Sequence, residues 1–402
     1  MTKLLRLTLA LCALLGPALA AAHGPVPRTP EGKPVEARLL TTDSATGEVV
    51  VLDLPDGEVV TRIPTPPYVL SFGLDYAGRH VYAMRGRNTD RDTITVIDIG
   101  FDDSGLARFP TVARTFTGNT PGGVRDGRLS SIGGHDAIFH EAAAEVEIIG
   151  EGDFASLGAV ATSRLKLAAP DHYHYLEAGD FLYVGHLAKG FVQVLERSTG
   201  AEVARVGPCP VLHDMAKDKQ SGRLFFACMR DVIVIGTRGD EANREVARIP
   251  YPTTQRVAFF LYGADRVLWG KSEGAIPALL RLDASKRRYA FKPVPVDAAI
   301  QQGTTPDGSL LLVYSRNGTL DLRDGKSGKL QHQLTISRPF DAEYHEHVDK
   351  ALLPDIVATA ERAWITLPTE GAIVEVDLVA AKEVRRFQIG GQPTRLVLAR
   401  PP

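Results

Sequence analysis

The chain has 402 residues, of which 44% are apolar and 23% charged, a composition typical of a folded globular protein. A length above 400 is long for one domain, but large β architectures reach it as a single unit. The formal net charge of −2 argues against non-specific nucleic-acid binding, which needs a cationic surface, and no polybasic segment predicts attachment to a membrane surface.

The first twenty residues predict a secretory signal peptide. Lys3 and Arg6 precede the apolar run 7–15, and the small residues Ala18 and Ala20 follow it. The apolar run is too short to span a bilayer, and no later segment is long and apolar enough for a membrane helix. We therefore predict a signal peptide at 1–20, cleavage after residue 20 or 22, and an exported protein without membrane insertion.

A Pro-rich stretch at residues 23–36 lacks any apolar period and is predicted to be a flexible leader. From residue 37 onward, short apolar runs alternate with turns rich in Gly, Asp and Asn, as in EVVVLDLPDGEVVTRI and GTLDLRDGKSGKLQHQL. Such runs are typical of β-hairpins, and a four-strand unit that recurs about every forty residues indicates a β-propeller. We predict one all-β propeller domain over 37–402.

The propeller is predicted to have eight blades. A count of seven is the alternative, because residues 101–123 are interpreted as an insertion that forms a loop over one mouth of the channel. The amino-terminal segment lacks an inner strand and the carboxy-terminal segment lacks outer strands, so the two are expected to share one blade and close the ring. The innermost strands are predicted near Tyr68, His135, His174, His213, Val257, Ala299, Ile356 and Leu396.

Three histidines recur at one spacing: His135, His174 and His213 are each 39 residues apart. If each stands at the start of an innermost strand, the three imidazoles converge at the mouth of the channel. Converging imidazoles suit Zn²⁺, with a carboxylate or water as fourth ligand, and Asp214 or Asp136 is placed to supply it. The alternative is a set of polar channel histidines that bond to backbone and water.

Four more histidines rank lower as ligands. His172 lies two residues before His174 and shares its face of an extended strand, whereas His140 lies an odd number of residues after His135 and faces the other way. His345 and His347 form a His-x-His pair in a charged, irregular stretch, for which an exposed polar loop is the alternative.

Removal of the signal peptide leaves two cysteines, Cys209 and Cys228. In an oxidising compartment an isolated pair most simply forms a disulfide, and this pair flanks a predicted strand-turn-strand. Thiolate ligation of a metal is the alternative.

The sequence has no nucleophile elbow, phosphate loop, HExxH motif or haem-attachment motif. A metal site without an evident proton relay favours holding or passing a metal, so we predict that the protein is not an enzyme. The alternatives are a lactonase-like metal hydrolase, a quinoprotein-type dehydrogenase subunit, and a scaffold propeller of the cell envelope.

Four segments, GGHDAIFHEA, HYHYLEAGDFLYV, GPCPVLHDMA and FFAC, resemble the periplasmic zinc metallochaperones of the AztD type. The resemblance implies a periplasmic propeller that hands zinc to the solute-binding protein of a zinc ABC transporter. It also implies zinc ligation by His135, His174 and His213, and a disulfide between Cys209 and Cys228. We expect a monomer.

One feature departs from this family, whose members often carry a histidine-rich stretch near the mature amino terminus. Only His23 stands there in this chain. The delivery route is therefore expected to differ, with His345 and His347 as candidates for it.

Overall fold

The structure, a computed structural model, describes residues 34–65, 69, 71–85, 92–119, 121–123, 132–149, 163–272, 276–286, 288–340 and 352–402. The predicted signal peptide, most of the predicted leader, His23, His345 and His347 lie outside these residues. The described part is built almost wholly of antiparallel strands, with one short 3₁₀ helix at Gly239–Glu241. The predicted all-β class is confirmed.

Each blade is a four-stranded antiparallel sheet. The first blade contains β1 (Ala37–Asp43), β2 (Glu48–Leu54), β3 (Glu58–Pro64) and the last strand, β31 (Pro393–Ala399). The second contains β4 (Ser71–Leu74), β5 (His80–Arg85), β6 (Thr93–Asp98) and β7 (Thr111–Thr117). The third contains β8 (Pro121–Gly123), β9 (Asp136–His140), β10 (Glu145–Ile149) and β11 (Ser163–Lys166). The fourth contains β12 (Tyr173–Ala178), β13 (Phe181–His186), β14 (Phe191–Glu196) and β15 (Glu202–Val206).

The second half of the chain continues this pattern. The fifth blade contains β16 (Asp214–Lys217), β17 (Leu224–Ala227), β18 (Asp231–Gly236) and β19 (Arg244–Pro250). A seven-stranded sheet follows, with β20 (Phe259–Tyr262), β21 (Val267–Lys271), β22 (Ile276–Asp283), β23 (Phe291–Thr304), β24 (Leu310–Ser315), β25 (Thr319–Asp324) and β26 (Leu330–Thr335). The eighth blade contains β27 (Ile356–Ala358), β28 (Arg362–Leu367), β29 (Ala372–Asp377) and β30 (Lys382–Gln388).

The long strand β23 belongs to two blades. Its residues 291–295 pair with β22, its residues 301–304 pair with β24, and Ala299 pairs with both. Between these parts the chain bends at Ala298, whose φ is 42°. The sixth blade therefore ends, and the seventh begins, within this one strand. Counted this way, the described strands form eight four-stranded blades.

The two ends of the chain close the ring. β1 pairs antiparallel with β31, from Arg38 opposite Ala399 to Asp43 opposite Pro393. Closure removes exposed sheet edges between the first and last blades, as predicted from the incomplete terminal segments.

The hydrophobic core lies between blades rather than at one centre. Eight clusters of buried apolar side chains occur among the described residues, each joining two neighbouring blades, and together they run once around the ring. A blade is therefore covered on both faces. This explains why a middle strand such as β2, EVVVLDL, is almost continuously apolar.

Turn residues separate the strands as the sequence predicts. Between β2 and β3, the Gly57 amide donates to the carbonyl of Asp53 at 2.7 Å, with Gly57 at φ +73°. A Cβ at Gly57 would stand 2.0 Å from the Phe387 ring of the neighbouring blade. Glycine is thus required here both by the backbone conformation and by the packing of blades.

Two positional predictions are wrong. The segment 101–123 is not a loop insertion, because it contains β7, the fourth strand of the second blade, and β8, the first strand of the third. His135 does not begin an innermost strand: it precedes β9, which is the second strand of its blade and pairs with β8. The 39-residue spacing therefore does not place His135 in the register of His174.

Contacts with the domain begin before residue 37, where the sequence places its start. Pro34 forms a β-bridge with Leu106, and Val35 is buried. Across the described residues, no helix has the length and apolar content required to cross a bilayer.

Candidate metal centre

Three imidazole rings meet where the fourth and fifth blades begin. His172 directly precedes β12, His174 is the second residue of that strand, and His213 directly precedes β16. The ring centres of His172 and His174 are 4.8 Å apart, those of His174 and His213 are 5.4 Å apart, and those of His172 and His213 are 6.1 Å apart. We call these three residues the imidazole cluster.

The inner strands explain this proximity. β12 and β16 are the first strands of adjacent blades and contact each other, so residues at their starts lie side by side. His172 and His174 share a strand face because side chains alternate in an extended strand. His174 is buried, with 4% of its surface exposed, while His172 and His213 are half-buried.

Each imidazole of the cluster has an oxygen atom facing its Nδ1. The Nδ1 of His172 contacts Oε1 of Glu141, the Nδ1 of His213 lies 2.9 Å from the carbonyl oxygen of Ala258, and the Nδ1 of His174 lies 3.7 Å from Oδ1 of Asp214. A carbonyl oxygen only accepts, so the Nδ1 of His213 donates the hydrogen. A carboxylate likewise accepts from the Nδ1 of His172. In its neutral form, each of these two rings would carry the lone pair on Nε2.

Two carboxylates flank the imidazole cluster. Glu141 lies in the turn after β9 and is 8% exposed, and Asp214 begins β16 and is 4% exposed. The second oxygen of Asp214 accepts the amide hydrogen of Phe260 at 2.6 Å, which fixes the carboxylate between the fifth and sixth blades. Buried negative charge beside neutral imidazoles favours a cation at this place.

The ring spacing suits a tetrahedral ion. Three imidazoles that each bind Zn²⁺ through one nitrogen at about 2.0–2.1 Å would place their ring centres about 5 Å apart. The observed separations of 4.8, 5.4 and 6.1 Å surround that value. In the described part of the chain, however, no three His, Cys, Asp or Glu side chains already stand in a ligating arrangement. Metal binding would require the rings to rotate within the cluster.

The remaining sequence-predicted residues lie apart from this cluster. His135 is exposed, and among the described ring contacts none joins it to the other histidines. Asp136 is buried and accepts the amide hydrogen of Tyr76 at 2.7 Å and the hydroxyl of Tyr82 at 2.9 Å. Burial raises the pKa of Asp136 to about 6. These hydrogen bonds join Asp136 to the second blade.

His140 has both ring nitrogens engaged. Its Nε2 lies 2.5 Å from Oε2 of Glu147, and its Nδ1 accepts the amide hydrogen of Asn119 at 3.3 Å. The hydrogen bond from His140 lowers the pKa of Glu147, against the effect of burial. Both contacts lie within the third blade and its preceding turn, in agreement with the prediction that His140 faces away from His135.

His186 is a buried histidine whose role is structural. Its Nε2 lies 3.2 Å from Oε1 of Gln193, its ring stacks on Phe191, and burial lowers its pKa. The unfolded chain, whose histidine titrates near 6.5, binds this proton at higher pH than the folded protein does. Stability is therefore expected to be full above about pH 6.5 and to fall as the pH drops below it.

This expectation is testable with a variant that cannot take up the proton. His186→Gln should lose less unfolding free energy than the wild type between about pH 7.5 and pH 5.5, measured by urea denaturation. Equal losses of unfolding free energy in the two proteins would show that His186 does not cause this pH dependence.

A disulfide anchors the segment that leads to His213. Cys209 and Cys228 are bonded, and both side chains are fully buried. The Cys209 amide donates to the Gly190 carbonyl at 2.7 Å, and the Met229 amide donates to the Pro210 carbonyl at 2.7 Å. The predicted disulfide is confirmed, and thiolate ligation of a metal by these cysteines is excluded while the bond is intact.

Comparison with known proteins identifies the architecture. No protein-family model and no curated protein matches the chain. A crystal structure of AztD from Citrobacter koseri matches with a TM-score of 0.73 and 18% identity, over 90% of this chain and 98% of that chain. A structure of apo AztD from the same organism gives a TM-score of 0.71 and 17% identity over the same shares. The protein has the AztD-type fold.

The AztD-type fold is also close to that of an enzyme. The dihydro-heme d1 dehydrogenase NirN, in complex with DHE, matches with a TM-score of 0.66 and 14% identity, over 94% of this chain and 78% of that chain. A fold of this kind therefore does not decide the function, which must be argued from the side chains.

Two of the groups at the imidazole cluster were not among the sequence-predicted residues. Glu141 lies in a turn of the third blade and meets His172 only across the blade interface. The Ala258 carbonyl comes from the sixth blade. Neither position carries a periodic signal, because contacts between blades depend on loop conformation.

Proposed function

We propose that the protein binds Zn²⁺ at the imidazole cluster in the periplasm and passes it to the solute-binding protein of a zinc ABC transporter. The observation that carries the proposal is the set of oxygen atoms facing the Nδ1 of His172, His174 and His213. Metal-ligating histidines almost always direct their other nitrogen to a carboxylate, a backbone carbonyl or water. His172 and His213 follow that pattern, whereas the Nδ1 of His174 lies 3.7 Å from Asp214, beyond hydrogen-bond distance.

Zinc would be held by the Nε2 atoms of these three histidines. Asp214 and Glu141 face the Nδ1 atoms of His174 and His172, so both carboxylates lie behind these rings, and a water molecule or a side chain of the partner would be the fourth ligand. This ligand set replaces His135 with His172. The sequence-based set with His135 remains the alternative, and the two are distinguished by single substitutions below.

The burial of the three rings suggests an order of exchange. His174 is almost fully enclosed, whereas His172 and His213 are half-buried. An incoming histidine or carboxylate from a partner would displace an accessible ligand first, and the buried one last. Zinc would then pass through mixed intermediates without entering solution as a free ion.

Transfer can be tested directly. Protein loaded with one Zn²⁺ is mixed either with the metal-free solute-binding protein or with an excess of a small chelator, and zinc loss is followed in time. If zinc passes by ligand exchange, the protein should lose zinc faster to the solute-binding protein than to the chelator. Equal rates, limited by free dissociation, would contradict the delivery role.

Glu141 offers a sharp test of the ligand arrangement. Replacing it with glutamine should lower zinc affinity about 10–100-fold, as loss of an outer partner of a ligating histidine typically does. The measurement is competition against a fluorescent zinc chelator. The matched control is Glu147→Gln, because Glu147 also pairs with a buried histidine of the same blade but lies away from the imidazole cluster. Equal effects of the two substitutions on zinc affinity would contradict the proposal.

The non-catalytic role also has a test. Zinc-loaded protein should not turn over lactone or ester substrates above the rate of free zinc. Metal-dependent turnover that disappears in a His174→Ala variant would favour the hydrolase alternative instead.

A further inference from the structure

Apolar and cationic side chains form an exposed surface beside the imidazole cluster. They lie in four connections between strands, from the one that precedes β12 to the one that precedes β18. We call them the rim surface; its exposed members are Pro170, Ala188, Lys189, Pro210, Met229 and Arg230. Met229, with 46% of its area exposed, is the largest apolar side chain among them.

Hydrogen bonds hold these four connections side by side. The carboxylate of Asp171 accepts the amide hydrogens of Ala188 and Lys189, at 2.9 and 2.8 Å. The two backbone hydrogen bonds of 2.7 Å beside the Cys209–Cys228 disulfide then join the second connection to the third and the third to the fourth. The rim surface is therefore contiguous, and its backbone is fixed before any partner binds.

The rim surface also adjoins the proposed zinc site. The Leu187 amide donates to the carbonyl oxygen of His172 at 3.0 Å, and His213 follows Pro210 by three residues. A protein seated on the rim surface would therefore lie next to His172 and His213, the two half-buried rings of the imidazole cluster.

Two cations of the rim surface are available to a partner. In the described part of the chain, neither the Lys189 nor the Arg230 side chain forms an ion pair or a hydrogen bond. The neighbouring carboxylates are engaged elsewhere, because Asp171 accepts from backbone amides and Asp231 pairs with Arg248 at 3.1 Å. Exposed cations without a local counter-charge favour a partner surface that carries carboxylates.

The apolar character is local to these blades. The turn between the second and third strands of a blade is SATG (44–47) in the first blade and RNG (316–318) in the seventh. The same turn is LAKG (187–190) in the fourth blade and contains Met-Arg (229–230) in the fifth. The less polar turns thus occur on the two blades whose inner strands carry the imidazole cluster.

Exposed apolar patches edged by polar residues mark protein interaction sites, and Met and Arg are enriched in interfaces. We propose that the rim surface docks the zinc-accepting partner, which would present carboxylates to Lys189 and Arg230 around an apolar contact with Met229. This inference rests on the proposed function, and it assigns the part of the chain that orients the partner over the imidazole cluster.

The test is the rate of zinc transfer from loaded protein to the metal-free solute-binding protein at low ionic strength. The Lys189→Glu, Arg230→Glu variant should transfer zinc at least about tenfold more slowly, because charge complementarity accelerates encounter by that much or more. Its rate should also depend less on salt. The control variant Lys219→Glu, Lys329→Glu changes the net charge by the same amount, on turns at the opposite face, and should transfer like the wild type.

A second pair of variants tests the apolar contact. Met229→Asp should also slow transfer, because it removes that contact and places a negative charge before an acidic surface. Val379→Asp changes an apolar side chain that is 78% exposed in the turn between β29 and β30, at the opposite face, and should leave the rate unchanged. Zinc affinity, measured by chelator competition, should stay close to the wild-type value in every variant.

The outcomes separate this proposal from the function on which it rests. If the wild type passes zinc to the solute-binding protein no faster than to a chelator, both proposals fail. If the wild type passes zinc faster and either rim variant matches it, the docking proposal alone is overturned. A wild-type dimer in sedimentation that Met229→Asp converts to a monomer would also overturn it, because a second copy of the chain would then occupy the rim surface.

Discussion

Replacing His172, His174 and His213 together by alanine is expected to abolish tight zinc binding while the propeller remains folded. The three rings are the nitrogen donors that stand within about 6 Å of one another, with centre separations of 4.8, 5.4 and 6.1 Å. Each single substitution should lower zinc affinity by at least about 100-fold, because even outer partners of zinc ligands cost 10–100-fold. Chelator competition on protein purified without a histidine tag measures this loss.

Two matched substitutions separate the ligand sets. His135→Ala should leave zinc affinity unchanged, because the ring is exposed and apart from the imidazole cluster. His332→Ala removes an exposed histidine on β26 and controls for non-specific binding to surface imidazoles. A large loss in His135→Ala with none in His172→Ala would restore the sequence-based assignment. Unchanged zinc content in the triple variant would refute both.

Removal of the disulfide is expected to have the largest effect on stability. The bond joins residues 19 apart in sequence, and the chain-entropy model assigns about 3 kcal/mol to closing a loop of that size. The Cys209→Ser, Cys228→Ser variant should therefore lose about 3 kcal/mol of unfolding free energy, read from guanidinium unfolding midpoints. Zinc affinity should also fall, because the anchored segment ends four residues after Cys209, at His213.

The wild type treated with a reductant provides the control for this variant. Both should unfold at lower denaturant concentration than the oxidised protein, and both should still bind one zinc per chain. If the serine variant no longer bound one zinc per chain while the histidine variants still did, the cysteines would be the zinc ligands. Unchanged stability in both would contradict a supporting role for the disulfide.

The fold was predictable because its signals are local. Apolar runs, turn residues such as Asp56 and Gly57, and incomplete end segments together indicate hairpins closed into a ring. The strand β8 escaped prediction because it is only three residues long, PGG, and has no alternating pattern. The outer strand β7 has no clear strand signal, because its sequence, TVARTFT, is mostly polar and exposed.

The site was only partly predictable because register, not spacing, sets which side chains meet. Matching bulges follow Val194 in the fourth blade and Val234 in the fifth, so the repeat between them is 234 − 194 = 40 residues. Counting pairs inward from the bulges makes His174 equivalent to Asp214, with His213 one residue earlier. A 39-residue spacing therefore brings His174 near His213 through an offset of one position, and it has no such meaning for His135.

Anomalous scattering at the zinc absorption edge, from crystals of the zinc-loaded protein, would locate the metal. We expect one strong peak within bonding distance of the Nε2 atoms of His172, His174 and His213. A peak at His135, or no peak near the start of β12 and β16, would contradict it.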